Sequence, residues 1–409
     1  MQISPGLHLT YCSNIHAGES WKEVFDALNE NIPLIKEKLS LTKPFGIGLR
    51  LSDAAAKEML SGGNLIKFRK WLAENDCYVF TLNGFPYGGF HNTVVKDNVY
   101  KPDWTTSERL IYTLNLIDVL SELIPESSEA GISTSPLSYK PWLNNSCNAI
   151  DVFEASAINL MKCVVELYRV RKYAGKYIHL DIEPEPSCLL ESSKETIDFF
   201  NEYLIPYGRD YLKYSLNLPL EICESIIRDH ITLCYDICHF SVEYEKPAEV
   251  IKAFQSAGIK VGKVQISSAL KVITNKHNNR NEILNQYQLF SESVYLHQTI
   301  VKDALGLLHH FNDLPEALKH FYNPEFHEWR THYHVPVFML SYNELQSTQD
   351  DILEVLNILK KNKFTNHLEV ETYTWEVLPK AERLELKESI IRELGWVINI
   401  IINEKNCSH

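Results

Sequence analysis

Short apolar runs alternate with long amphipathic segments along nearly the whole chain, and this alternation limits the fold more than any other feature. The runs are "LHLTYC" (7–12), "FGIGLRL" (45–51), "CYVFTLN" (77–83), "EAGISTSP" (129–136), "KYIHLDIE" (176–183), "ITLCYDI" (231–237), "VGKVQIS" (261–267) and "NHLEVETYTW" (366–375). Each reads as a strand. Segments with helical spacing lie between and after them, at 19–39, up to about 75, at 105–124, 151–174, 247–258 and 381–401 among others. Ser20 followed by Glu23 fits a capping box at the first of these helices. A strand that pairs in parallel with its predecessor needs a long crossover, and a helix is the usual one. Eight such units predict a (β/α)8 TIM barrel; an open doubly wound sheet with a helical appendage is the alternative. No GxGxxG follows the first strand and no Walker-type glycine loop occurs, which counts against nucleotide binding.

One long piece interrupts the alternation. Residues 268–365 separate the seventh strand from the eighth, and within them "EWRTHYHVPVFM" (328–339) reads as extended. The expectation is a single TIM-barrel domain spanning 1–409, with an insertion and helix at 268–365 covering the mouth. Long loops after barrel strands usually belong to the site.

In such a barrel the site is built at the C-terminal strand ends. Polar residues gather there. Glu183 ends the fifth run, Asp236 the sixth with His239 just beyond it, Gln265 and Ser267 the seventh, and Glu371 the eighth above Glu369 and His367. Carboxylates crowded at one mouth repel, so either some are protonated or a cation sits among them. Oxygen and imidazole donors suit one divalent metal ion: Mn, Mg, Co or Zn. His332 and His334 reach in from the insertion if that stretch is extended, with Arg330 beside them. His16, Asn83, His91 and Ser135 also lie at or past strand ends, where substrate contact competes with ordinary loop hydrogen bonding. In "YIHLDIEPEP" (177–186), His179 and Asp181 read as buried partners lower in the barrel. Glu183 is the candidate ligand of that stretch, at the rim, and Glu185 a solvent-facing or supporting group. The loop "NGFPYGGFH" (83–91) reads equally as a glycine turn or an apolar wall.

Charge narrows the partner. With 40 Lys plus Arg against 53 Asp plus Glu, the net charge of −13 disfavours nucleic acid and anionic membranes, while leaving a small phosphorylated substrate open. The 9 cysteines are scattered without a CxxC, as suits a reducing compartment. Cys234 and Cys238 lie four apart but lack a second pair at structural-zinc spacing, and Cys188 and Cys238 lack a recognisable base partner for thiol chemistry. No secretory signal is evident, and "LGWVINIIIN" is too short to span a bilayer. A cytoplasmic protein with a small-molecule partner and no integral membrane segment is expected; a homodimer is left open.

The strand-end residues in "LDIEPEP", "YDICH" and "EVET" resemble the xylose isomerase-like barrel superfamily, which includes sugar isomerases, epimerases and endonuclease IV. More narrowly, "LTYCSNIHAGESW", "LNGFPYGGFH", "HLDIEPEP", "YDICHFSVEYE", "KVQISSAL", "THYHVPVF" and "HLEVETYTWEVLP" resemble, in order, the metabolite traffic protein EboE family. The superfamily resemblance implies a divalent metal held by Glu183, Asp236, a seventh-strand residue and Glu371, with the two glutamates moving protons beside a carbonyl. The sequence departs from that pattern at Gln265, where those enzymes usually place His. Either Gln265 holds the ion weakly, or His334 or His332 substitutes, or the pocket only binds. The EboE resemblance implies processing or movement of a hydrophobic precursor metabolite. Three readings follow: a metal-dependent isomerase or epimerase, in which His239 orients Asp236 or binds substrate and Arg330 holds an anionic or hydroxylated group; a non-catalytic metabolite carrier; and a phosphodiesterase, which the acidic balance disfavours.

Overall fold

A computed structural model of the chain describes residues 1–91, 94–143, 148–274, 279–374 and 385–402. Eight strands run parallel: β1 Leu7–Tyr11, β2 Phe45–Arg50, β3 Cys77–Asn83, β4 Glu129–Thr134, β5 Tyr177–Ile182, β6 Ile231–Asp236, β7 Val261–Ile266 and β8 His367–Val370. They pair in sequence from β2 to β8, and β8 pairs in turn with β1. Closure between β1 and β2 rests on a parallel bridge from Cys12 to Gly48. It is reinforced by the Thr10 hydroxyl, which donates to the Gly46 carbonyl at 2.8 Å and accepts from the Gly48 amide at 3.1 Å. The sheet is thus a closed (β/α)8 barrel.

Helices cross between successive strands, and their starts are encoded locally. Trp21–Leu39 begins at Ser20, whose hydroxyl accepts from the Glu23 amide while the Glu23 carboxylate accepts from the Ser20 amide at 2.9 Å. Ile178, Leu180 and Ile182 of β5 face these helices and are fully buried. The final helix spans Leu386–Ile402; of the segment expected from 381, residues 381–384, like Trp375, Cys147 and Cys407, lie outside the described residues.

The inward faces are polar and lie in layers. Lys263 on β7 pairs with Glu369 on β8 at 2.6 Å and donates to Ser133 on β4 at 3.0 Å. Burial pulls the Lys263 ammonium pKa down, but Glu369 and its other anionic neighbours outweigh this and hold it well above the ordinary lysine range. Below, His179 pairs with Asp181 at 2.5 Å, and Asp181 also accepts from Thr232. Glycine makes room for both layers. A Cβ at Gly48 would collide with Glu369, and one at Gly262 with Asp181 and His179.

Between β7 and β8 the chain builds a second, antiparallel sheet. Its strands lie in the order 308–311, 299–303, 326–331, 270–273, 345–347, 341–342. The helix Gln349–Lys361 then returns to the barrel. The extended stretch expected at 328–339 is a strand only over Phe326–Thr331. Beyond Thr331 the backbone leaves the ladder: the His332 amide donates to Gln298 O at 2.8 Å, the Val335 amide to Ser268 O at 3.0 Å, and Pro336 has no amide to give. This departure sends His332 and His334 over the barrel mouth.

Candidate functional site

Each strand tip positions its acid by a different local device. The Glu183 amide adds one further rung beyond β5, donating to Thr134 O at 3.0 Å. Pro184 has no amide, so pairing stops there and the chain turns outward. Asp236 caps the short helix Ile237–Val242: its Oδ1 accepts from the His239 amide at 3.1 Å and the Ser267 hydroxyl at 2.7 Å. Glu371 follows β8, and its Oε1 accepts from Asn14 at 2.7 Å and Asn83 at 3.0 Å.

Three buried ligand atoms are left without hydrogen-bond partners: Glu183 Oε2, Asp236 Oδ2 and His334 Nε2. His334 donates from Nδ1 to the Glu371 carbonyl at 2.9 Å, which leaves the Nε2 lone pair 3.8 Å from Asp236 Oδ2. His239 donates from Nδ1 to Pro184 O at 2.8 Å, and His332 from Nδ1 to Gln298 Oε1 at 2.8 Å. Their free Nε2 atoms face each other at 3.2 Å. With both Nδ1 atoms engaged as donors, these two Nε2 atoms attract each other only when a proton or a cation lies between them. The spacing is close to the ~3.3 Å between two nitrogens on one tetrahedral ion with bonds of about 2.0–2.1 Å.

Electrostatics point the same way. Burial, and then the charges of Glu371 and Asp236, push the Glu183 carboxyl well above its ordinary range. Burial, Asp236 and Glu369 do the same to Glu371. Burial lowers His334 to about 4, and burial with the neighbouring histidines holds His332 well below its ordinary range. The His332 and His334 imidazoles are therefore held neutral, while the nearby cation Lys263 is paired with Glu369 rather than with Glu183 or Glu371. Among the described residues, ligand atoms of Asp236, His239 and His334 lie within 4.8 Å of one another, as do those of Glu185, His239 and His332, and of Cys238, His332 and His334. The donor set fits a divalent cation.

The cavity above these groups has a volume of about 60 Å³, room for a handful of waters at ~10–15 Å³ each. Phe85, Phe90, Val99, Tyr295 and Tyr373 form its apolar side, with the carboxylates and histidines opposite. Phe85 and Phe90 come from the 83–91 loop, which is therefore both turn and wall.

The structure brings together Glu183, Asp236, Glu371, His334, His332 and His239, with Asn83 holding Glu371. His91 stands behind them, its Nε2 2.5 Å from Asn14 O. Three other expected residues do not reach the cavity. Gln265 is level with Asp236 and Glu369 in the ladder, but its Oε1 is engaged by the Cys234 thiol, which donates to it at 2.7 Å, and it does not line the cavity. Arg330 points to the far side of its strand, onto the Tyr244 ring at 4.3 Å, with Glu328 at 2.8 Å and the Ser241 carbonyl at 2.7 Å. His16 meets Tyr11 at 2.9 Å and lines a separate small cavity. Glu185 faces inward rather than toward solvent: it is 5% exposed and accepts from Tyr100 at 2.7 Å. The sequence reading passed over Asn14 although it sits at the tip of β1, where the strand-end rule that selected His16 applies equally. The Cys188 and Cys238 thiols are held well above their ordinary range by burial, which makes them poor nucleophiles.

No family model matches the chain, and no curated protein matches it. Solved structures do resemble it in overall form. The IOLI protein with a binding zinc atom is 12% identical, covers 97% of this chain and 98% of its own, and has a TM-score of 0.46. A xylose isomerase-like TIM barrel protein from Mycobacterium smegmatis in complex with magnesium is 9% identical, over 97% and 96%, with a TM-score of 0.48. The probable 3-DHS dehydratase AsbF of petrobactin synthesis from Bacillus anthracis is 10% identical, over 96% and 99%, with a TM-score of 0.43.

Proposed function

We propose that this protein is a divalent-metal-dependent isomerase or epimerase of a small metabolite, with residues 1–409 acting as one barrel unit and the insertion completing its site. The observation that carries this reading is the set of buried, partnerless ligand atoms on Glu183, Asp236 and His334, beside the opposed Nε2 atoms of His239 and His332. Glu183, Asp236, Glu371 and His334 would hold the ion, with His239 and His332 adjoining. Gln265 is not needed as a ligand, since His334 takes the imidazole role from the insertion. Mixed imidazole and carboxylate donors favour Mn, Co or Zn over Mg. Such an ion supplies positive charge that polarises a carbonyl and the hydroxyl beside it.

The protein's own groups then do the proton work. Burial and neighbouring carboxylates raise the proton affinity of both Glu183 and Glu371, which suits the pair to proton transfer. One accepts the proton from the carbon beside the carbonyl, and the other delivers it. Asn14 and Asn83 fix the Glu371 carboxylate by donating to one oxygen, which leaves the other for exchange. The apolar wall excludes water and suits a substrate with a hydroxylated end and a hydrophobic remainder. The EboE resemblance supports the same choice, a hydrophobic precursor in secondary-metabolite processing.

The test is proton exchange. Purified protein with manganese or zinc, given a panel of aldoses, ketoses and prenylated polyols in deuterated water, should place deuterium at the carbon next to the carbonyl. Glu183→Gln and Glu371→Gln should each lower the rate by a factor of ~10²–10⁴. A carrier reading is favoured by the aromatic wall alone. It predicts ligand binding without exchange, unchanged in Glu183→Gln.

A further inference from the structure

We propose a second metal site at the opposite end of the barrel, in which Glu129, His179 and His367 bind a zinc-type divalent cation. These residues belong to the N-terminal ends of β4, β5 and β8, at the face remote from the candidate active site. One ligand atom from each lies within 4.8 Å of the other two.

Each donor is prepared in a different way. His179 is 1% exposed, and its Nδ1 is 2.5 Å from Asp181 Oδ1. Its Nε2 has no hydrogen-bond partner and lies 3.7 Å from Glu129 Oε1, too far for a hydrogen bond and close to the separation of two ligands on one ion. A carboxylate behind the ring fixes the tautomer and raises the basicity of the opposite nitrogen, the arrangement found behind metal-bound histidines. His367 is also 1% exposed, and its Nδ1 has no partner. Its ring stacks on His179 with centroids 5.4 Å apart. Burial and the neighbouring His179 and His8 keep it neutral. Glu129 is 34% exposed, and its Oε2 accepts from Asn366 at 2.5 Å, which turns Oε1 toward His179. A purely structural cluster would be expected to close these nitrogens onto donors or acceptors; here two buried ones are left open.

The barrel has made space for the arrangement. Gly131 on the neighbouring β4 and Gly262 on β7, the next strand but one, border His179 across the barrel interior, and a side chain at either would strike the His179–Asp181 pair. An open cavity of about 620 Å³, lined by Glu129, His179, Thr365 and Asn366, connects the cluster to solvent. Two imidazoles and one carboxylate with an open side form a three-ligand set typical of zinc, with the fourth position left to water or a small anion.

The test is zinc stoichiometry. Apo protein is titrated with zinc against a chromophoric chelator, and crystals soaked in zinc are measured at the zinc absorption edge. The wild type should take up one equivalent that Glu129→Gln or His367→Asn removes, or weakens at least tenfold, and that Glu183→Gln leaves in place. Glu129→Gln lies at the rim and keeps its oxygen acceptor for Asn366, so it should fold even if His367→Asn does not. An anomalous peak should appear between Glu129, His179 and His367. If the upper site binds no metal, the lower equivalent should still be present as the sole one. Equal zinc stoichiometry and affinity in wild type and Glu129→Gln, with no peak at this position, would overturn the proposal.

Discussion

Asp236 gives one carboxylate oxygen to the fold, as a helix cap, and keeps the other for the site. Glu183 gives none of its side chain to local structure, which makes it the better probe of the metal. Its carboxyl pKa is raised in the folded protein by burial and by Glu371 and Asp236. The stability tied to its proton is therefore full below the unfolded pKa of 4.5 and is lost as pH rises through the higher folded value. Glu183→Gln removes that loss. In metal-free protein the variant should match the wild type near pH 4 and exceed it at pH 7 by ~1–2 kcal/mol in denaturant unfolding; in excess manganese the order should reverse. The acids at strand tips were legible because alternation along a strand fixes which residues face inward. Arg330 was misread because the same alternation was extended past Thr331, where the strand ends. Of the two alternatives for Glu185, the flanking prolines suggest the solvent-facing one, whereas its amide bonds to Leu190 O at 2.9 Å and the side chain lies inward, as the supporting role requires.

The final helix acts on the site without touching it. Glu393 Oε1 accepts from the Val337 amide at 3.1 Å and the Thr372 hydroxyl at 2.8 Å, which ties the segment carrying His334 to the one carrying Glu371. Burial raises the Glu393 carboxyl to about 8. Its protonated form belongs to the fold, so stability from this group is complete below pH 4.5 and fades as pH rises through 8. Glu393→Gln keeps the accepting oxygen and should gain stability over the wild type progressively across that window. Glu393→Leu strips both acceptors, should cost about 2–3 kcal/mol, and should weaken metal binding through misplaced His334 and Glu371. Equal metal affinity in Glu393→Leu would remove the link. The Lys263–Glu369 pair makes a parallel case inside the barrel. Lys263→Met leaves a buried carboxylate uncompensated and should cost ~3–5 kcal/mol, most of it recovered in Lys263→Met/Glu369→Leu. The barrel strands were legible as elements because each is an apolar run with a helix behind it. The insertion strands were not, because they are only 2–6 residues long and carry no uniform pattern.

At the scale of the whole molecule, the closed barrel follows from eight repeated units, but the sheet over its mouth follows from pairings between segments far apart in sequence, such as 270–273 with 326–331. Local pattern cannot reveal such partners. The proposed ion would join these two bodies, since Glu183, Asp236 and Glu371 come from the barrel and His334 from the insertion. Metal at a hundredfold its dissociation constant adds about 2.7 kcal/mol to the folded state. Hydrogen exchange should register that gain in both places at once, with slower exchange at 183–190, 236–242 and 371–374 and also across 299–303 and 326–335. In His334→Ala the barrel segments should still respond to metal while the insertion segments no longer do. A response confined to the barrel in the wild type would mean that His334 does not share the ion and that the insertion only covers the site.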